Sequence, residues 1–493
     1  MKKNLSVYWV RRDFRLEDNP ALTAAMEYAR QSNSSFLPIF ILEEYMCANN
    51  PLEQFGFPSK VFLSKALPLF AEHFKTFALV RGRVIRVFEH LSKKYDLSIF
   101  VNEDIHEDFY AQLKKLRDAG VKVELCRDML TVSKDVTTGA GNRYSVFTPF
   151  KKAVWEEFVA TEPLPKPPTS EVEYLEMAEI KDMPHMLGVN STAIAKELGD
   201  EKIFRAGNRT YDISELVTDR QNFDAWYFEE KEAIRLFKKF VKEKLSEYKE
   251  KRDSLELEGT SRMSLALAWG LVSARILVHI IKRDGHRDLN LYDLRPGVQG
   301  AIHFVSELIW REFYKYLYYH HPKLMHEEFQ EKFRGTIEWL DKDEAEKRFV
   351  SWIKGETGYP IVDAAMHEIA KTGYMHNRAR MIVASVLTKN LGVDWRYGQE
   401  YFRAMLIDLD EASNNGGWQW GASVGADPKP IRIFNPYLQA ENYDPRQIYQ
   451  KKYLPKEYFK NPPKPIVEHR AARSEALKRY GLSEEKDGHA RDY

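Results

Sequence analysis

Apolar positions follow two different rhythms along the chain, and the change comes near residue 228. In the first 130 residues, short apolar runs stand at Ser6–Val10, Phe36–Leu42, Leu97–Val101 and Val121–Leu125. Their length and their β-branched and aromatic content predict buried strands. Amphipathic stretches lie between and after them, at Pro20–Arg30, Ser59–Phe77, Arg83–Tyr95 and Asp108–Ala119, and predict helices. Strands alternating with helices imply a parallel sheet covered on both faces. The expectation for residues 1–130 is therefore a Rossmann-like α/β domain. No G-x-G-x-x-G follows the first strand, and Gly139-Ala140-Gly141 comes too late to serve, so a dinucleotide fingerprint is absent.

Residues 131–226 break the rhythm. Pro163, Pro165, Pro167 and Pro168 interrupt any helix, and the stretch predicts a connection carrying a few short surface helices. From 227 to 475 the period is helical. Ile234, Phe237, Phe240, Val241, Leu245 and Tyr248 form one stripe, and helical patterns recur at Ser261–Lys282, Gly300–Tyr319, Ile361–Thr372, Asn377–Asn390 and Tyr397–Ile407. This predicts an all-α second domain, followed by a charged, frayed tail over 476–493.

Composition narrows the function. Lys and Arg number 74 against 73 Asp and Glu, a formal charge of +1 over 493 residues. That excludes a uniformly basic nucleic-acid coat but leaves room for a local basic groove. Two cysteines, Cys47 and Cys126, build neither a disulfide framework nor a zinc ribbon. With no apolar stretch of spanning length, the expectation is a soluble cytoplasmic protein without a membrane partner.

Four segments carry candidate chemistry. Glu307, Trp310, Arg311 and Tyr314 share one helix face; a solvated ion-pair face is the plainer reading, and a wet cavity for a flat ligand is the other. Asn377 and Met381, four apart, set an amide and a soft apolar group on one face, where a capped helix start is the plainer reading. Asp408–Trp420 packs two aspartates, two asparagines, two glycines and two tryptophans into thirteen residues. That composition suits close approach to a planar heterocycle better than a tight turn before a strand. Gly259–Ser264 offers hydroxyls and N–H groups at a predicted helix start, fit for a pyrophosphate or for ordinary capping. His320, His321 and His376 lack partners at ligand spacing, so no metal site is expected.

Taken in order, these segments resemble the photolyase/cryptochrome family, most closely its class I cyclobutane pyrimidine dimer (CPD) branch. The opening Trp9–Leu16 with Asp18–Leu22, then Gly259–Ser264, Glu307–Tyr314, Gly358–Ala364, Met375–Met381, Asp408–Trp420 and Arg432–Pro436 look like that family's motifs. The resemblance implies an N-terminal antenna domain and a helical domain holding FAD, active when reduced. It also implies an antenna chromophore, whose identity stays open because His326 stands where folate-binding members carry Lys.

Carried onto matching positions, the resemblance places Tyr248, Thr260, Ser261 and Ser264 at the FAD phosphates, with Arg262 and Met263 also binding the cofactor. Asn377, Arg380, Asp408 and Asp410 are further cofactor contacts, with Asn414 facing flavin N5. Arg252, Glu307, Trp310, Arg311, Asn377, Arg378, Met381 and Trp420 would meet DNA containing pyrimidine dimers. Trp310 and Trp420 would stack on a flipped-out lesion held by Glu307. Trp418 and Trp395 match the inner members of an electron relay; the outer position falls on Lys342, with Trp339 three residues earlier. The implied activity is light-driven splitting of CPDs by a monomeric enzyme. A cryptochrome-type photoreceptor without repair activity and a (6-4) photolyase are the alternatives.

Overall fold

The computed structural model describes residues 2–48, 55–105, 108–217, 226–284, 288–426 and 431–482. Five strands, β1 (Lys3–Val10), β2 (Ser35–Leu42), β3 (Ala78–Arg81), β4 (Tyr95–Asn102) and β5 (Lys122–Cys126), form one sheet in the order β3-β2-β1-β4-β5. Every neighbouring pair is parallel. The inner strands are buried on both faces because helices α1 (Pro20–Ser32), α2 (Phe57–Ala71), α3 (Val84–Lys94) and α4 (Phe109–Asp118) flank them. Asn19 caps α1 by accepting from the Leu22 N–H at 3.1 Å, and Pro20 follows at the first helical position. The strand β3 is absent from the sequence expectation. Its four residues, Ala-Leu-Val-Arg, are too short a run to stand out beside the preceding helix.

Chain order reverses on either side of β1, so a crevice opens beyond the carboxyl ends of β1 and β4. The helical region docks there. Phe14 N–H donates to the Trp269 carbonyl at 3.3 Å, and the Arg12 guanidinium donates to the Leu409 carbonyl at 3.0 Å. Arg275 reaches Asp18 at 2.7 Å and Asp128 at 2.9 Å, while Arg15 holds Asp128 at 2.7 Å. Gly270 has φ +66°, and a Cβ there would overlap the Arg12 carbonyl. This close approach ends the predicted helix Ser261–Lys282 early. It is two helices, Ser264–Ala268 and Ala274–Arg283, with Ser273 capping the second.

The connection is more ordered than its prolines suggest. Helix α5 (Phe147–Ala160) buries Phe147, Phe150, Val154, Trp155 and Phe158, and the Trp155 indole donates to the Leu289 carbonyl at 2.7 Å. A hairpin, β6 (Ile203–Ala206) with β7 (Arg209–Asp212), stacks Phe204 on Tyr211 and sets Phe204 edge-on to Tyr401. At the other end, helix His469–Arg479 buries Ala472, Ala476 and Leu477, so ordered structure runs past residue 476. Of the expected tail 476–493, residues 483–493 lie outside the described residues. Among the described residues no helix is long and apolar enough to cross a membrane.

Candidate active site

The helical region encloses a cavity of about 660 Å³, within the range of sites that hold whole cofactors. One wall is the 25-residue helix Pro296–His320, which sends Glu307, Trp310, Arg311 and Tyr314 into it. The face that the sequence left between a salt-bridge surface and a cavity thus lines a cavity. Tyr248, Arg252, Ser261, Met263 and Ser264 line a second wall. Asn377, Arg380 and Met381 come from the helix Asn377–Ser385, whose N-cap is His376.

The floor is the segment Asp408–Trp420, which the helical patterns of the sequence leave out. It forms a helix, Glu411–Gly421, started by Asp410 accepting from the Ser413 N–H at 2.9 Å. Two glycines inside a helix cost stability. At Gly416 a Cβ would overlap the Tyr314 ring, so glycine allows the two helices to close. A Cβ at Gly417 would meet nothing within 4 Å, and the glycine lines the cavity beside Asn414 and Trp418. Trp418 packs its indole on the backbone of Gly398, one turn after Trp395 on the helix Trp395–Met405.

Charge in the cavity is paired. The Arg380 guanidinium clamps buried Asp408 at 2.8 and 3.0 Å and donates to the Met375 carbonyl at 2.7 Å. Burial alone would raise the Asp410 carboxyl; Lys315, Arg311 and the Ser413 N–H outweigh it and hold it below the usual carboxylate range. At the mouth, Arg252 donates to the Glu307 carboxylate, and Asn377 donates to the Met381 sulfur at 3.7 Å. Trp420 lies under the Arg432 guanidinium, 5.2 Å from its ring centre.

Asn414 Oδ1 and Trp418 Nε1 are buried without a hydrogen-bond partner among the described residues. Asn414 uses its amide N–H on the Gln399 carbonyl at 3.2 Å, which leaves its oxygen as an acceptor. An orphaned acceptor and donor on a cavity floor suit a polar heterocycle.

Other expected residues lie elsewhere. Thr260 and Arg262 do not line the cavity: Arg262, with φ +54°, carries its guanidinium over the Tyr374 ring at 5.3 Å. Arg378 sits over Tyr443 at 4.2 Å and pairs with Asp253 at 3.0 Å. Trp395 is fully buried, its indole donating to Glu328 at 3.3 Å. Trp339 is partly buried and lies edge-on to Tyr480 at 6.3 Å. Val146, Phe147 and Thr148 line the cavity, and sequence reasoning missed them. The spacing Phe147, Phe150, Val154 was the signal, masked by the prolines that follow.

Comparison with known proteins agrees with this geometry. Residues 6–169 match the family "DNA photolyase", and 304–458 match "FAD binding domain of DNA photolyase". Deoxyribodipyrimidine photo-lyase of Escherichia coli is 33% identical, over 96% of this chain and 97% of that protein. The chain belongs to the DNA photolyase family. Among solved structures, a bacterial class III photolyase from Agrobacterium tumefaciens superposes with a TM-score of 0.78 at 29% identity, covering 98% of each chain. An archaeal photolyase from Sulfolobus tokodaii, solved with two FAD molecules, gives 0.74 at 26% identity, covering 97% of this chain and 99% of that one. FAD is the cofactor of this family's helical domain, and the size and orphaned polar atoms of the cavity fit it.

A second cleft lies at the crevice beyond β1 and β4, lined by Arg11, Asp13, Asn102 and Asp104 on the sheet side and Trp269 and Arg275 on the helical side. Its volume is about 100 Å³. Leu267, Ala268, Arg311 and Asp410 line both cavities and form the wall between them.

Proposed function

We propose that this chain repairs cyclobutane pyrimidine dimers in DNA by light-driven electron transfer. The observation that carries the reading is the mouth of the cavity, where Glu307, Trp310, Asn377, Met381 and Trp420 converge above the floor formed by Asn414 and Trp418. Reduced FAD, held over Asn414 and Asp408, would supply on illumination the electron that opens the two inter-base bonds and is then returned.

The chain's own residues bind, orient and exclude water. Trp310 and Trp420 offer aromatic faces to the two linked pyrimidines of an extruded dimer, and a dimer, which stacks poorly, leaves the duplex at reduced cost. Glu307 turns its carboxylate to a base edge, held in place by its pair with Arg252. The uncharged Asn414 avoids a carboxylate beside an anionic reduced flavin, where like charges repel strongly in a low dielectric. Trp418, Trp395 and Trp339 form the proposed relay that keeps the flavin reduced. The crevice beyond β1 and β4 is the proposed place of an antenna chromophore; at its present volume, side chains must open to admit a fused ring.

Illuminating the reduced holoenzyme with an oligonucleotide bearing one thymine dimer tests the assignment. Recovery of the unmodified oligonucleotide supports it. Recovery only from a (6-4) adduct would move the chain to that activity, and no light-dependent recovery from either would favour a photoreceptor.

A further inference from the structure

Helix α5 brings an aromatic ring of the connection into the cavity wall. The Phe147 ring lies parallel to that of Trp310, with 3.5 Å between centroids and 10° between planes. Free aromatic pairs prefer offset or edge-on arrangements, so the surroundings impose this overlap. Phe147 is buried, held edge-on by Phe313 at 5.8 Å, and the Lys151 ammonium lies 5.7 Å from its ring. Trp310 also meets Tyr314 at 5.5 Å, a ring seated against Gly416.

A half-buried tryptophan at a cavity mouth has several side-chain rotamers, and ordering one on binding costs affinity unless it is set beforehand. We propose that Phe147 is a positioning residue that fixes the plane of Trp310, so that the connection takes part in distinguishing damaged from undamaged DNA. This rests on Trp310 being a lesion-stacking wall. Phe147 acts through Trp310, one face of whose ring it covers.

The test is dark binding of the holoenzyme to a thymine-dimer duplex and to the same duplex undamaged, alongside the unfolding midpoint. Phe147→Leu is expected to lose about five- to tenfold in dimer affinity while binding undamaged duplex unchanged. Phe147→Tyr, which keeps the ring, is expected to retain dimer affinity. Trp310→Leu with Phe147→Leu is expected to bind no worse than Trp310→Leu alone, since the second change acts through the first residue. Unchanged dimer affinity in Phe147→Leu, equal losses on both duplexes, or additive losses in the double variant would overturn the proposal. If Trp310→Leu itself keeps full dimer affinity, the stacking-wall reading fails first and takes the proposal with it.

Discussion

The indole of Trp418 stands edge-on to that of Trp352, with 6.0 Å between centroids and 71° between planes. Trp418 also lies against Gly398, on the helix that begins at Trp395. Trp418→Phe is expected to retain FAD and lose photoreduction of the oxidised flavin, because phenylalanine is far harder to oxidise. Repair by chemically pre-reduced enzyme survives. Loss of the oxidised flavin band under light with an external reductant reads the outcome, and normal photoreduction would refute the relay. Trp395→Phe and Trp339→Phe, measured the same way, decide the next members.

Trp310→Ala should weaken binding to dimer-containing DNA by roughly 1–3 kcal/mol, the usual value of base–aromatic stacking. Undamaged DNA, held through phosphates, should change far less. Equal losses on both would make Trp310 a structural residue.

Asn414→Asp places a carboxylate where the neutral amide stands. Reduced flavin should then be harder to form, and the midpoint potential of the bound flavin should fall. Spectroelectrochemical titration of the two proteins compares them; an unchanged potential would remove Asn414 from the flavin's surroundings.

His376 gives a pH dependence of stability. Burial lowers its pKa to about 4, with Arg380, Arg378 and Arg262 adding to the effect against Asp253. Its Nδ1 accepts from the Arg378 N–H at 3.1 Å as a helix cap. The unfolded chain binds a proton near pH 6.5, so this contribution is full above that value and is lost as pH falls from about 6.5 to 4. The total is at most about 3 kcal/mol. Urea unfolding across this range should show a shallower slope in His376→Asn, which keeps a capping oxygen; an identical slope would show that other groups set it.

Strands β1, β2 and β4 were legible because each is an apolar run buried on both faces. The edge strand β5 was legible through Val121, Val123 and Leu125, which alternate with exposed Lys122 and Glu124. Chain-local patterns failed where a distant contact decides the structure. Gly270 ends a helix to let Arg12 approach, and Gly416 stays helical to let Tyr314 close. Most of the cavity lining was legible as helix faces and dense motifs. Arg262 stands outside that lining, with a positive φ and its guanidinium over Tyr374. Phe147 was not legible, since its partner Trp310 lies far along the chain.

The fate of one lesion decides the proposed activity. The most direct measurement is the yield of intact thymines from a thymine-dimer oligonucleotide mixed with pre-reduced holoenzyme, illuminated or kept dark, with a (6-4) oligonucleotide in parallel. CPD repair requires recovery that grows with light dose, is absent in the dark and is confined to the dimer. Equal yields in light and dark, or no recovery from the dimer, would contradict it.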